Sequence, residues 1–198
     1  MPDVILKHNL QNPMKPNKSL LLVAALILGT LPLMAQQKRI SPHETVSGVI
    51  DKDRITITYG RPYTKDPKTG EAREIWGTLV PYGKVWRTGA DEATTLIVQK
   101  PILFGDTTVP AGAYTLWTLP MEDGTAKLII NKQIGQWGVG PNTYDEKQDL
   151  ARVDLKKDVT DSTVDQFTMA VAKNPDGGGL IKLMWANTQY SAAFTVQK

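Results

Sequence analysis

Between Arg61 and Thr94 the sequence gathers most of the side chains that could do chemistry. Gly60-Arg61-Pro62 is followed by Arg73-Glu74-Ile75-Trp76-Gly77 and then by Val80-Pro81-Tyr82-Gly83-Lys84-Val85-Trp86-Arg87-Thr88-Gly89-Ala90-Asp91-Glu92-Ala93-Thr94. Arg61, Arg73 and Arg87 are permanently charged planar forks, suited to bidentate recognition of a carboxylate, phosphate or sulfate. Trp76, Tyr82 and Trp86 supply an apolar wall, and a few directional donors on an aromatic lining make a small-ligand pocket. Trp137-Gly138, in a second long loop, is placed to close over it.

Two uses of Arg87 compete. It can pair with Asp91 or Glu92 and pin a long loop, with Trp86 and Trp76 packed beneath, or it can meet a ligand directly. Asp91 and Glu92 are also candidate acid/base groups, because adjacent carboxylates push one pKa toward neutrality and Arg87 would stabilise developing negative charge. His43 is the third catalytic candidate, although the expectation is a mobile or edge-strand histidine. His43-Glu44-Thr45-Val46-Ser47 fails the zinc-protease pattern because position 47 is not His. No metal site is predicted: Asp158, Asp161 and Asp165 lack the loop that wraps Ca²⁺ and read as solvated turn residues.

Other chemistry is excluded more firmly. The chain has 198 residues and no cysteine, which removes disulfides, thiolate nucleophiles, zinc-thiolate sites and iron–sulfur clusters. It contains no phosphate loop, dinucleotide fingerprint or Gly-x-Ser-x-Gly elbow, so no cofactor is expected. A hydrophobic fraction of 41% and a charged fraction of 22% fit an ordinary globular protein rather than a disordered or multi-span membrane chain.

The elements that must position these residues begin after an address label. Lys15 and Lys18 precede an apolar run, Leu20 to Leu28, that continues to Met34-Ala35-Gln36 in the order of a secretory signal. The run is interrupted by Gly29 and Pro32 and is shorter than the roughly 20 residues that span a bilayer. The expected organisation is a signal peptide over 1–35, with an upstream extension and a true start at Met14, followed by one domain over 36–198. Cleavage after Ala35 removes three lysines and one aspartate and lowers the net charge from +3 to +1. Nucleic-acid binding, which needs a basic stripe, then loses its warrant.

From Gln36 onward there are 15 glycines and 9 prolines, too closely spaced for long helices. Arg54 to Tyr59 alternates, with Ile55, Ile57 and Tyr59 on one face and Arg54, Thr56 and Thr58 on the other. Similar runs are 95–99, 102–104, 107–109, 113–119, 126–131, 150–155, 164–173, 180–186 and 191–197. Turn signals such as Asp51-Lys52-Asp53, Gly105-Asp106 and Glu122-Asp123-Gly124 separate them. The predicted class is all-β: an antiparallel β-sandwich, jelly-roll-like, of about ten strands with little helix. Two long loops, 61–87 and 132–148, are where function is expected. One helical turn is expected at Tyr144 to Gln148, and Trp117 and Trp185, mid-strand, are expected in the core.

The stretch from Val80 to Thr94, above all Trp86-Arg87-Thr88-Gly89-Ala90 with Glu92-Ala93-Thr94, resembles the secreted bacterial domain of unknown function 2911. The resemblance continues in Pro110-Ala111-Gly112-Ala113-Tyr114, Asn131, Trp137-Gly138 and Asp149-Leu150-Ala151-Arg152, nearly the whole mature chain. It implies a signal peptide and a small β-rich domain, adds Asn131 to the candidate ligand residues, and brings no established reaction, cofactor or partner. Asp91 departs from the Asn usual in that pattern, and the stretch Tyr63 to Ala72 is longer than usual.

The expected function is a periplasmic or secreted binding or accessory module for a small anionic or sugar-like ligand, such as a small molecule or glycan. Its candidate ligand residues are Arg61, Arg73, Trp76, Tyr82, Trp86, Arg87, Asn131 and Trp137. One alternative is a hydrolase- or isomerase-type enzyme using Asp91 or Glu92 with Arg87, and another is a structural envelope-interaction protein. A monomer or weak dimer with no membrane span after cleavage is expected, since no heptad pattern or long apolar stretch is left over.

Overall fold

The computed structural model describes residues 39–138 and 143–197. The expected signal segment and the Met14 start lie outside the described residues. Among the described residues no helix is long and apolar enough to cross a membrane.

Among the described residues ten strands form two antiparallel sheets, and the fold is a β-sandwich. The larger sheet contains β1 (His43–Ile50), β2 (Asp53–Gly60), β3 (Thr94–Val98), β6 (Gly112–Pro120), β7 (Ala126–Asn131) and β8 (Asp149–Asp154), in that spatial order. The smaller sheet contains β5 (Thr107–Val109), β4 (Ile102–Phe104), β10 (Gly179–Val196) and β9 (Lys156–Lys173), again in spatial order. Successive strands of the larger sheet are neighbours in it, with long connections from β2 to β3 and from β7 to β8 and an excursion through β4 and β5 into the other sheet between β3 and β6.

Alternation along the strands builds the core. Ile55, Ile57 and Tyr59 of β2 are buried while Arg54 and Thr58 are exposed, and Leu96 of β3 and Leu116 of β6 continue that inner face. Phe167 and Met169 of β9 meet them from the other sheet with Ile181, Leu183, Trp185 and Phe194 of β10. Fully burying one such side chain is worth about 1.5–3 kcal/mol.

β6 departs from alternation, since Tyr114 through Thr118 are all buried. Its outer face is covered too: Trp117 packs with Ala93 and Ile129, against Leu119 of the same strand and Val85 and Tyr144 from the long connections. Each long connection therefore supplies part of a second, smaller core.

Two strands differ from expectation. The predicted runs omit β1, whose burial alternates only between exposed and half-buried before ending in a buried Ile50; it puts His43 on an edge strand, one of its two expected placements, and it is followed by the expected turn, where Asp51 and Lys52 take φ of 47° and 66°. The runs 180–186 and 191–197 are one strand, β10, whose ladder with β9 shifts register between Met184 and Thr188 around Ala186 at φ 52°. An irregular pairing absorbs the polar Asn187 to Gln189 stretch without ending the strand. Likewise Asp158, Asp161 and Asp165 lie on β9 rather than in turns. The helical turn falls at Glu146–Gln148, capped by the Asp145 side chain.

Candidate functional site

The connection from Arg61 to Ala93 lies across one end of the sandwich, fastened at both ends. Thr64 N donates to the Asp165 carbonyl at 2.6 Å, and Phe167 N donates to Pro62 at 2.9 Å. Further along, Trp86 and Thr118 exchange two backbone hydrogen bonds of 2.8 Å, and the Thr88 and Thr118 hydroxyls share one of 2.7 Å. Thr94 Oγ1 donates to the Thr88 carbonyl at 2.6 Å. Thr88 and Asp91 stand at φ of 56° and 63°, a conformation that costs a non-glycine residue free energy and persists only where its surroundings enforce it.

Beneath the connection the tryptophans converge. Trp86 stacks on Trp185 with centroids 5.8 Å apart and planes 18° from parallel, and Trp76 meets Trp86 edge-on at 6.1 Å. Phe167 closes the group at 5.1 Å from Trp86, and Tyr190 lies 5.3 Å from Trp76.

Beside this cluster is a cavity of about 500 Å³, within the range of small-molecule sites. Its walls include Leu79, Val80, Pro81, Val85, Trp86 and Trp185, and its polar groups come from Ser41, Arg73, Lys84, Arg87 and Asp91. Several of those polar groups are unmatched. Among the described residues Arg73 Nε, Arg87 Nε and Trp185 Nε1 are buried donors with no acceptor, and Asp91 Oδ2 is a buried acceptor with no donor. Buried polar atoms are nearly always paired, and these four exceptions are gathered around one cavity. Trp185 is 1% exposed, so its free indole N–H has no bulk water to turn to.

Arg87 forms no ion pair with Asp91 or Glu92 among the described residues, because Glu92 is taken. Arg39 donates to both Glu92 carboxylate oxygens at 2.6 Å and lies over the Trp137 ring at 5.5 Å. Burial holds the Arg87 guanidinium below its ordinary value, and the Asp91 charge offsets this in part. Glu92 is held below its ordinary value first by its Arg39 hydrogen bonds.

The other candidates are distributed around this centre. Arg61 points at β9, donating to the Phe167 carbonyl at 3.0 Å and to Thr168 Oγ1 at 2.9 Å, and pairs with Glu44 at 2.5 Å. Asn131 is buried and spans the second connection, donating to the Asp145 carbonyl and to Asp149 Oδ1. Tyr82 is half-exposed and covers Gly77. Trp137 is 60% exposed and is held near the mouth by its bridge to Glu92 and by Gly138 N donating to the Asp91 carbonyl at 2.7 Å. Arg73, Trp86, Arg87 and Asp91 are thus together at the cavity, Trp76 backs it, and Arg61, Asn131 and Tyr82 serve the scaffold.

His43 opens β1 with Nε2 3.0 Å from Glu92 and 3.5 Å from Asp91. The ligand-capable atoms of these three residues lie within 4.8 Å of one another. Arg39 Nη1 sits among them, 2.7 Å from His43 Nε2. The trio therefore already surrounds a cation supplied by the chain itself.

Four contributors were not legible in the sequence: Arg39 and Ser41 before the first strand, Lys84 in the connection, and Trp185, which serves as core and cavity wall at once. Arg39 carried no signal beyond its charge. Trp185 carried only its mid-strand position, which points to packing.

A family described as a protein of unknown function (DUF2911) has a model that matches residues 41–194. No curated protein and no solved structure matches the chain significantly.

Proposed function

The chain belongs to the DUF2911 family, whose function is unknown, and from its own geometry we propose that it is an exported binding module for a small anionic ligand held in the cavity beneath residues 73–91. The observation that carries this reading is the set of buried, acceptorless donors, Arg73 Nε, Arg87 Nε and Trp185 Nε1, on an aromatic and aliphatic lining. An anion supplies the missing acceptors, and its apolar body replaces water against Trp86, Val80 and Leu79. The protein acts in the periplasm or outside the cell as a monomer or weak dimer.

The acid/base alternative is less well supported. Glu92 is locked by two hydrogen bonds from Arg39 and pushed away from neutrality, which makes it a poor base, and His43 Nε2 is already engaged between Arg39 and Glu92.

Thermal denaturation of the purified protein against sugars, inorganic anions and organic acids tests the binding reading. Organic acids are expected to raise the midpoint by mass action and sugars lacking an acid group to leave it unchanged. A midpoint unmoved by every acid would sink the proposal. Export is tested separately, by fractionating a Gram-negative host that expresses the full chain. A periplasmic species beginning at Gln36 is expected, and retention of residues 1–35 would refute cleavage there.

A further inference from the structure

Resting on the pocket reading above, we infer that the ligand is a hydroxy acid: a carboxylate with a hydroxyl on the neighbouring carbon and a compact apolar body. Three features of the cavity lead there. Its charged walls are Arg73, Lys84 and Arg87 against Asp91 alone, so the ligand's net charge is negative. The remaining surface, Leu79, Val80, Val85, Trp86 and Trp185, excludes a ligand that is polar all round.

The third feature is Asp91 itself. Its Oδ2 is shielded from solvent, stands 3.5 Å from His43 Nε2 and 4.0 Å from Arg39 Nη1, and receives a hydrogen bond from neither. A carboxylate can only accept. Beside Arg87 it repels any anion that brings no hydrogen, and it rewards one that carries a donor next to its acid group. The backbone that carries Asp91 is anchored by the bond from Gly138 N to its carbonyl. Discrimination of this kind, by a buried polar group left unpaired when the wrong ligand enters, is stronger than any hydrophobic fit provides.

A hydroxyl suits the site better than an ammonium. An α-amino acid is a zwitterion whose positive group would share the cavity with three cations, whereas the hydroxyl satisfies Asp91 at no charge cost. Sulfate, which has no hydrogen at neutral pH, meets Arg73 and Arg87 but confronts Asp91 with a second anion.

Three probes of one skeleton separate these cases by isothermal titration: 3-phenylpropionate, 3-phenyllactate and phenylalanine. Phenyllactate is expected to bind at least about tenfold more tightly than phenylpropionate, with phenylalanine between or below them. In Asp91→Asn, whose side chain tolerates the same positive φ, the phenyllactate advantage is expected to fall to about threefold or less while phenylpropionate gains. Arg87→Met should abolish binding of all three. Phenylpropionate binding wild type as tightly as phenyllactate would overturn the hydroxy-acid assignment and leave the anion pocket standing. Phenylalanine as the tightest ligand would also overturn it. Failure of all three probes to bind at millimolar concentration would overturn the assignment, and the pocket reading would fall with it only if the wider panel of acids also left the thermal midpoint unmoved.

Discussion

Gly60, the last residue of β2, lies directly under Ala90, so close that a Cβ built on it would penetrate the Ala90 carbonyl and come within 2.9 Å of its carbon. The obstacle is backbone, which cannot rotate away as a side chain can. Gly60→Ala must therefore lift the 88–92 segment off the sheet, and a loss of about 2 kcal/mol or more is expected. Urea denaturation reads this directly; a midpoint within error of wild type would mean that the segment is not seated on Gly60.

Arg87 separates a structural pin from a ligand group. Because no ion pair ties it to Asp91 or Glu92, and burial disfavours its charge more than the Asp91 charge favours it, Arg87→Met keeps the packing stem and removes a partly compensated buried cation. Stability equal to wild type or raised by up to about 1 kcal/mol is expected, together with lost anion binding. A drop of several degrees in Tm would show Arg87 to be a pin.

Glu92 gives a pH signature whose sign follows from Arg39. Its folded pKa is depressed below the ordinary 4.5, so its contribution to stability is complete above that value and is lost as pH falls through the lower folded value. The Tm difference between wild type and Glu92→Gln is expected to be present at about pH 6, to shrink below about pH 4 and to diminish with added salt. The pair is exposed, so the whole difference should be a few degrees at most. A difference that grows on acidification would contradict the assignment.

Asp53 is the least explained polar residue in the core. It is fully buried, and neither carboxylate oxygen has a donor. A buried carboxyl group without partners is costly, so Asp53→Asn is expected to hold or raise stability, by about 1 kcal/mol. Calorimetry that found the variant clearly less stable would mean that the carboxylate has a role that no contact here accounts for.

Strand positions were legible because burial alternates with period two, as in Ile55, Ile57 and Tyr59, and because turn residues bound the runs. β1 escaped because an edge strand leaves half its faces in solvent, so Thr45, Ser47 and Gly48 give no apolar rhythm. In the site, Arg73, Trp86, Arg87 and Asp91 could be found because charged and aromatic residues concentrate in one breaker-rich stretch. The partners could not. Glu92 binds Arg39, 53 residues earlier, and Arg61 binds Phe167 and Thr168, more than 100 residues later. Register between distant strands decides such pairings, and it has no local trace in the chain.

The stacked pair Trp86 and Trp185, with Trp76 6.4 Å from Trp185, also makes the protein optically self-reporting. Indole transitions held this close and at fixed angles couple, so the folded state should show an exciton couplet in circular dichroism, and energy absorbed by one ring should reach the others before emission. Two of the three rings line the cavity. Occupancy can therefore be followed by intrinsic fluorescence with no dye and no label, and a library can be screened on the untouched molecule.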